Sequence, residues 1–195
     1  MARVRGCTPD DRSVTTSQEA RRRRAARSCP WLDEGVRCKG CGALVRVGDG
    51  PTHAYIDSAP GCWERYCSLE EWKSRLSGEE SIGIVQDLVD SFAVQHATST
   101  DRRNVQSVAV HLMSLCSGLE RGATGRQRRA RIGLWVGRDY PVLEPRPAGY
   151  PITISDVAAA PAATRPSTIE RLAQTSWSAW SAHHDTVRSC LADLG

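Results

Sequence analysis

Cys38-Lys39-Gly40-Cys41-Gly42 is the stretch of this sequence whose residue types and spacing carry the most specific chemistry. A C-x-x-C pair on a glycine-containing turn brings two thiolates to one point, where backbone N–H groups soften their charge. Zinc takes four such ligands in a tetrahedron, so two more are needed. Cys62, on the turn before Trp63, is the best third, and His53, between Thr52 and Ala54, the best fourth. The expected metal set is therefore Cys38, Cys41, His53 and Cys62 around Zn2+, with Cys67 and Cys29 in reserve. Two rivals are a redox dithiol and an accidental pair. A redox dithiol ordinarily follows a strand and opens a helix in a thioredoxin-like unit, and neither the glycines nor the surrounding pattern fit that arrangement. Cys116 and Cys190 fall near the apolar faces of expected helices and read as small core residues, while Cys7 reads as a free thiol in the N-terminal tail.

The other four histidines, His96, His111, His183 and His184, all fall on expected helices. At about 100° per residue, His96 is central in the Val85/Phe92 stripe and His111 flanks the Val108/Leu115 stripe. His183 and His184 straddle the Trp180/Val187 line. An inward imidazole is costly unless its nitrogens are satisfied. Hydrogen bonds to Asp90, Gln95 or Asp185 are one solution, and satisfied core histidines are the leading reading. A second metal held between helices is the other. On that reading His96, His111, His183, His184 and Asp90 are the catalytic candidates, Asp90 or Asp185 serving as base or as orienter of a histidine.

These side chains need a scaffold, and hydrophobic periodicity supplies one. Residues 29–72 are rich in Cys, Gly and Trp, with turn signals at Lys39-Gly40, Gly48-Asp49-Gly50-Pro51 and Ala59-Pro60-Gly61. They suit a knuckle and two short strands, followed by a helix over Trp63–Leu76. Val85, Leu88, Val89, Phe92 and His96 mark a helix over Ser81–His96. Val105, Val108, Leu112, Leu115 and Leu119 mark another over Asn104–Arg121, with Gly122 placed to follow its C-cap. Residues 123–166 hold six of the ten prolines and an arginine-heavy turn at 126–131, so they read as loop with one short helix over Val157–Ala160. A last helix runs from Ser167, with Glu170 completing a capping box, through Trp177, Trp180 and Val187 to Leu194. The fold class is mainly α, a helical bundle preceded by a small zinc-ribbon or knuckle-like segment. Its divisions are a disordered basic leader over 1–28, the Cys/His segment over 29–72, and a helical body over 73–195 packed with that segment as one domain.

Composition bounds the function. With 40% apolar and 25% charged residues the chain is an ordinary globular sequence, and with one Phe but six Trp the indoles read as core anchors. The net charge of +4 is carried by the leader, where eight arginines face Asp10, Asp11 and Glu19. The remainder is close to neutral, so nucleic-acid binding is open only through that leader, which has no aromatic residue to stack on bases. No run approaches the ~20 apolar residues of a membrane span, and a secretory core is missing at the start. A cytoplasmic location, with reduced thiols, is expected.

Taken together, several strings resemble an uncharacterised bacterial family catalogued as domain of unknown function 5946. They are the Cys38–Gly42 knuckle, Asp49-Gly50-Pro51-Thr52-His53-Ala54-Tyr55, Pro60-Gly61-Cys62-Trp63, Phe92-Ala93-Val94-Gln95-His96, Gln106–Leu112 and Trp177–His184. The resemblance spans roughly residues 36–194 and implies a whole family member, without assigning ligands or an activity. One departure is Ala97 after His96, where the family pattern has Pro. The leading functional reading is a zinc-binding protein without an assignable activity. The alternatives are a metal-dependent enzyme of helical-bundle type with a His-ligated second metal, and a nucleic-acid-binding zinc protein.

Overall fold

A computed structural model describes residues 35–193; the leader expected over 1–28, with Cys7 and Cys29, lies outside them. Two three-residue strands, β1 (Gly35–Arg37) and β2 (Leu44–Arg46), pair as an antiparallel ribbon around the C-x-x-C turn. Everything after them is helical or loop. The helices are α1 (Pro60–Cys67), α2 (Glu70–Ser74), α3 (Glu79–Gln95), α4 (Arg102–Leu119), α5 (Gly125–Trp135), α6 (Ile154–Ala159), α7 (Arg165–Ala179) and α8 (His184–Ala192). The mainly α class with a small ribbon at its front agrees with the sequence reading.

α3 is the hub, packing against α4, α5 and α7. Its stripe places Leu88 and Phe92 in the interior with His96 at its C-terminal end. One apolar cluster joins Leu88 and Phe92 to Val45, Ile154, Ile169, Leu172 and the three knuckle cysteines. A second gathers Leu112, Leu115, Trp135, Trp177, Trp180 and Leu191 around α4. Three of the six tryptophans are thus buried anchors, as their scarcity of aromatic company suggests. Cys116 is also buried in this second cluster, while Cys190 packs at its edge.

Three expectations about elements need correction. The helix expected over Trp63–Leu76 starts earlier, at Pro60, and breaks at Ser68–Leu69 into α1 and α2. Proline in the first turn suits that start, because its missing N–H is one of the unpaired donors there anyway. The arginine-heavy stretch is a helix, α5, closed by a capping box in which Thr124 and Gln127 bond reciprocally. It carries little apolar stripe because Arg128, only 3% exposed, occupies its inward face. Finally, the last helix is two helices. α7 ends at Ala179, Ser181–His183 form one 3₁₀ turn, and α8 resumes at His184. The N-cap of α7 is Thr164, and the Ser167 hydroxyl donates back to the Thr164 carbonyl instead of forming the expected box with Glu170.

Candidate metal centre

The knuckle is built by its backbone. Cys38 N–H donates to Ala43 O and Gly42 N–H to Cys38 O, both at 2.9 Å, while Gly42 takes φ +78° to close the turn. Both sulfurs then face inward. Cys62 enters from the first turn of α1, held by Cys62 N–H donating to Ala59 O at 2.9 Å. The Ala59 N–H points at Cys38 Sγ from 3.5 Å, the kind of backbone donor that stabilises a thiolate.

The fourth corner is His96. One ligand atom from each of Cys38, Cys41, Cys62 and His96 lies within 4.8 Å of the other three. Their exposures are 2%, 1%, 0% and 0%, so the four-sided group is closed to solvent. Cys41 Sγ and Cys62 Sγ stand 3.6 Å apart, far beyond a disulfide bond, and all three thiols are free. A tetrahedron with metal–sulfur bonds of about 2.3 Å has sulfur–sulfur edges of about 3.8 Å, close to that spacing.

His96 is aimed by the end of α3, where it is the C-cap residue. Its Nδ1–H donates to Phe92 O at 2.8 Å, which leaves the lone pair on Nε2. That Nε2 is buried without a hydrogen-bond partner. A buried orphan nitrogen beside three sulfurs is expensive unless something positive sits between them.

The electrostatics agree. Hydrogen bonds from Cys41 and Cys62 hold the Cys38 thiol well below the usual range, and hydrogen bonding to Cys38 and Cys41 pushes Cys62 far above it. Burial alone would depress His96, but the neighbouring sulfurs of Cys38 and Cys41 outweigh it and push the imidazole up to about 9. The group as a whole therefore draws positive charge, and a metal cation would meet that demand by displacing protons.

His53 is not in this group. Its Nδ1 accepts from Tyr55 N–H at 3.2 Å, and its ring packs on Trp63 with centroids 5.2 Å apart. Of the four expected ligands the structure brings together three, and His96 stands where His53 was expected. The remaining histidines do not converge either. His111 Nδ1 bonds Asp90 Oδ1 at 2.7 Å, one of the hydrogen-bonded solutions anticipated for an inward imidazole. His183 Nε2 lies 3.0 Å from Pro145 O, and His184 Nε2 lies 2.9 Å from Trp177 O with its ring stacked on Trp177. Asp185 pairs with Arg188. Among the described residues the Cys38/Cys41/Cys62/His96 group is the one cluster of three or more such side chains able to hold a metal ion, so a second site shared by His96, His111 and His183 or His184 is not assembled. Cys67, a reserve ligand, is exposed and outside the group.

The group also dictates its neighbours. A Cβ on Gly40 would come within 2.9 Å of Gln95 O and of His96 Cα and Cδ2. Gly40→Ala is therefore expected to push the knuckle off the end of α3, costing about 1–3 kcal/mol in urea denaturation as overpacked sites do. It should also weaken whatever the four ligands hold; metal retention after dialysis would check that.

The architecture is that of a mainly helical protein with a buried Cys3His group joining an N-terminal ribbon to a central helix. The chain belongs to a family of unknown function, DUF5946, whose sequence profile matches residues 36–181. No curated protein and no solved structure matches it.

Proposed function

We propose that this is a zinc protein whose Cys38, Cys41, Cys62 and His96 hold one structural Zn2+. The observation that carries the reading is the orphan Nε2 of His96 lying beside three free, buried sulfurs. Three thiolates and an imidazole are a borderline-soft donor set that suits zinc in a tetrahedron. The role is structural because all four corners are protein groups and none is open to solvent, whereas a catalytic zinc keeps a position for water or substrate. The ion would tie the ribbon and α1 to the end of α3. A two-stranded ribbon alone is at best marginally stable, so such a tie has a physical purpose. Free thiols at this point require a reducing compartment, and a cytoplasmic location is part of the proposal. No helix among the described residues is long and apolar enough to cross a membrane.

Elemental analysis of the full chain purified without a tag tests the reading. One equivalent of zinc is expected, lost in Cys38→Ser and retained in His53→Ala. Protein that carries no metal after purification under reducing conditions, and takes up none from a zinc buffer, would overturn it.

A further inference from the structure

Between Glu120 and Asp139 the chain carries six arginines, at positions 121, 126, 128, 129, 131 and 138, and no acidic residue. Most of that stretch is α5, which packs on α3 and α4 and buries Gly125, Arg128 and Trp135. At about 100° per residue, Arg126, Arg129, Ala130, Gly133 and Leu134 share the opposite, outward side, with Arg131 on its flank. That side is open: a Cβ on Gly133 would meet nothing within 4 Å. Leu134 is 66% exposed and Val136, the C-cap residue, 53%. Arg138 folds back so that its Nε–H donates to Leu134 O at 3.2 Å, which brings a guanidinium beside these apolar side chains.

The same helix borders a groove of 530 Å3 between α2 and the start of α3. The groove is lined by aliphatic Leu76, Ile82 and Val85, all half-buried, and by the cations Lys73, Arg126 and Arg129. Glu70 and Glu79 stand there too and pair with Lys73 and Arg126. Arg129 donates instead to the amide oxygen of Gln86, and like Arg131 and Arg138 has no carboxylate partner among the described residues.

We propose that the outward side of α5, with this groove, is a docking surface for a bilayer that carries anionic phospholipid. The charge decides that the partner is anionic. The exposed aliphatic side chains decide for lipid over nucleic acid: Leu134 and Val136 gain nothing against a phosphodiester strand, but reach the acyl boundary when the guanidiniums sit among headgroup phosphates. No exposed aromatic ring is at hand to stack on bases either, since Trp135 is 2% exposed. Arg129 and its aliphatic neighbours would receive one headgroup in the groove. Such a contact is peripheral, reversible and screened by salt. None of these side chains belongs to the cysteine group, so docking is independent of the proposed zinc.

The test sediments the full chain at low salt with vesicles of phosphatidylcholine containing about one-third phosphatidylglycerol, and with phosphatidylcholine alone. Native protein is expected to sediment with the first and not the second. The double variant Arg131→Gln/Arg138→Gln should bind about thirtyfold more weakly, about fivefold for each cation lost from an anionic surface. Leu134→Ser should bind about tenfold more weakly with the salt dependence kept. Arg171→Gln, at an exposed position of α7, should bind as the native protein does. All these side chains are exposed, so unchanged urea midpoints will confirm that the variants fold. No sedimentation, or equal sedimentation with both vesicles, would overturn the proposal. Native-level binding by the double variant would do the same, placing the attraction in the arginines of residues 1–28. So would capture of a DNA duplex that the double variant loses and Leu134→Ser keeps, which would make this a nucleic-acid surface.

Discussion

Replacing His96 by alanine is expected to abolish the zinc binding proposed for the Cys3His group and to lower stability by about 3–5 kcal/mol, the range for removing one partner from a buried charged group. The measurement is the urea midpoint of the variant against the native protein, with zinc content determined on the same samples. The expectation follows from position. His96 is the group's contribution from α3, and its Nδ1–H is already committed to Phe92 O, so Nε2 alone can serve as ligand. Without it the three sulfurs keep their mutual repulsion in a buried site, and no other Cys, His or carboxylate among the described residues is grouped with them to complete a tetrahedron. A loss of that size is a large share of the ~5–15 kcal/mol that holds a domain together. His53→Ala, by contrast, should leave zinc content unchanged. Retention of full metal and stability by His96→Ala would remove the imidazole from the site.

Arg128→Met is expected to cost a similar ~3–5 kcal/mol at neutral pH, for a different reason. Its guanidinium bonds Asp87 at 2.6 Å and the Gly83 carbonyl at 3.0 Å, and lies 3.6 Å from Asp90. Burial already pushes the Asp87 carboxyl above its ordinary value, and Arg128 is what pulls it back down. In the variant Asp87 rises further. The folded state then binds a proton that the unfolded chain lacks just above the usual carboxylate range, so lowering the pH toward 5 should recover part of the loss. Urea denaturation at pH 7 and pH 5 measures this directly; an equal deficit at both would mean that the buried carboxylates are not what Arg128 compensates.

The sequence was informative wherever one short-range rule decided the outcome. The C-x-x-C turn and Cys62 needed only spacing and turn residues, and both reach the buried Cys3His group. The α3 and α4 stripes needed only helical periodicity, and the structure places them within two residues of the expected ends. What was missed depended on partners distant in the chain. His53 lay temptingly between the cysteines, but its loop packs against Trp63, whereas His96 arrives from a helix end more than thirty residues past Cys62. The usable signal was already present: an imidazole centred on an apolar stripe has to find a partner. α5 was hidden because its inward residue is an arginine whose two acidic partners sit on α3, leaving no apolar rhythm to read. The break at Trp180 also lies beyond periodicity, since Trp180 and Val187 both face the interior on either side of the 3₁₀ turn.

The ligands' order along the chain has a kinetic consequence. If the group holds zinc as proposed, Cys38 and Cys41 could meet the ion while everything else is unfolded, but closure would wait for a residue whose ring is aimed by the last turn of a completed helix. Bringing these ends together must overcome the entropy of a loop of more than fifty residues, which local capture does not. On the proposed zinc reading, full-affinity uptake would serve as a clock for maturation: a nascent chain would grip the ion loosely, and slow exchange would set in only after α3 has docked against the ribbon.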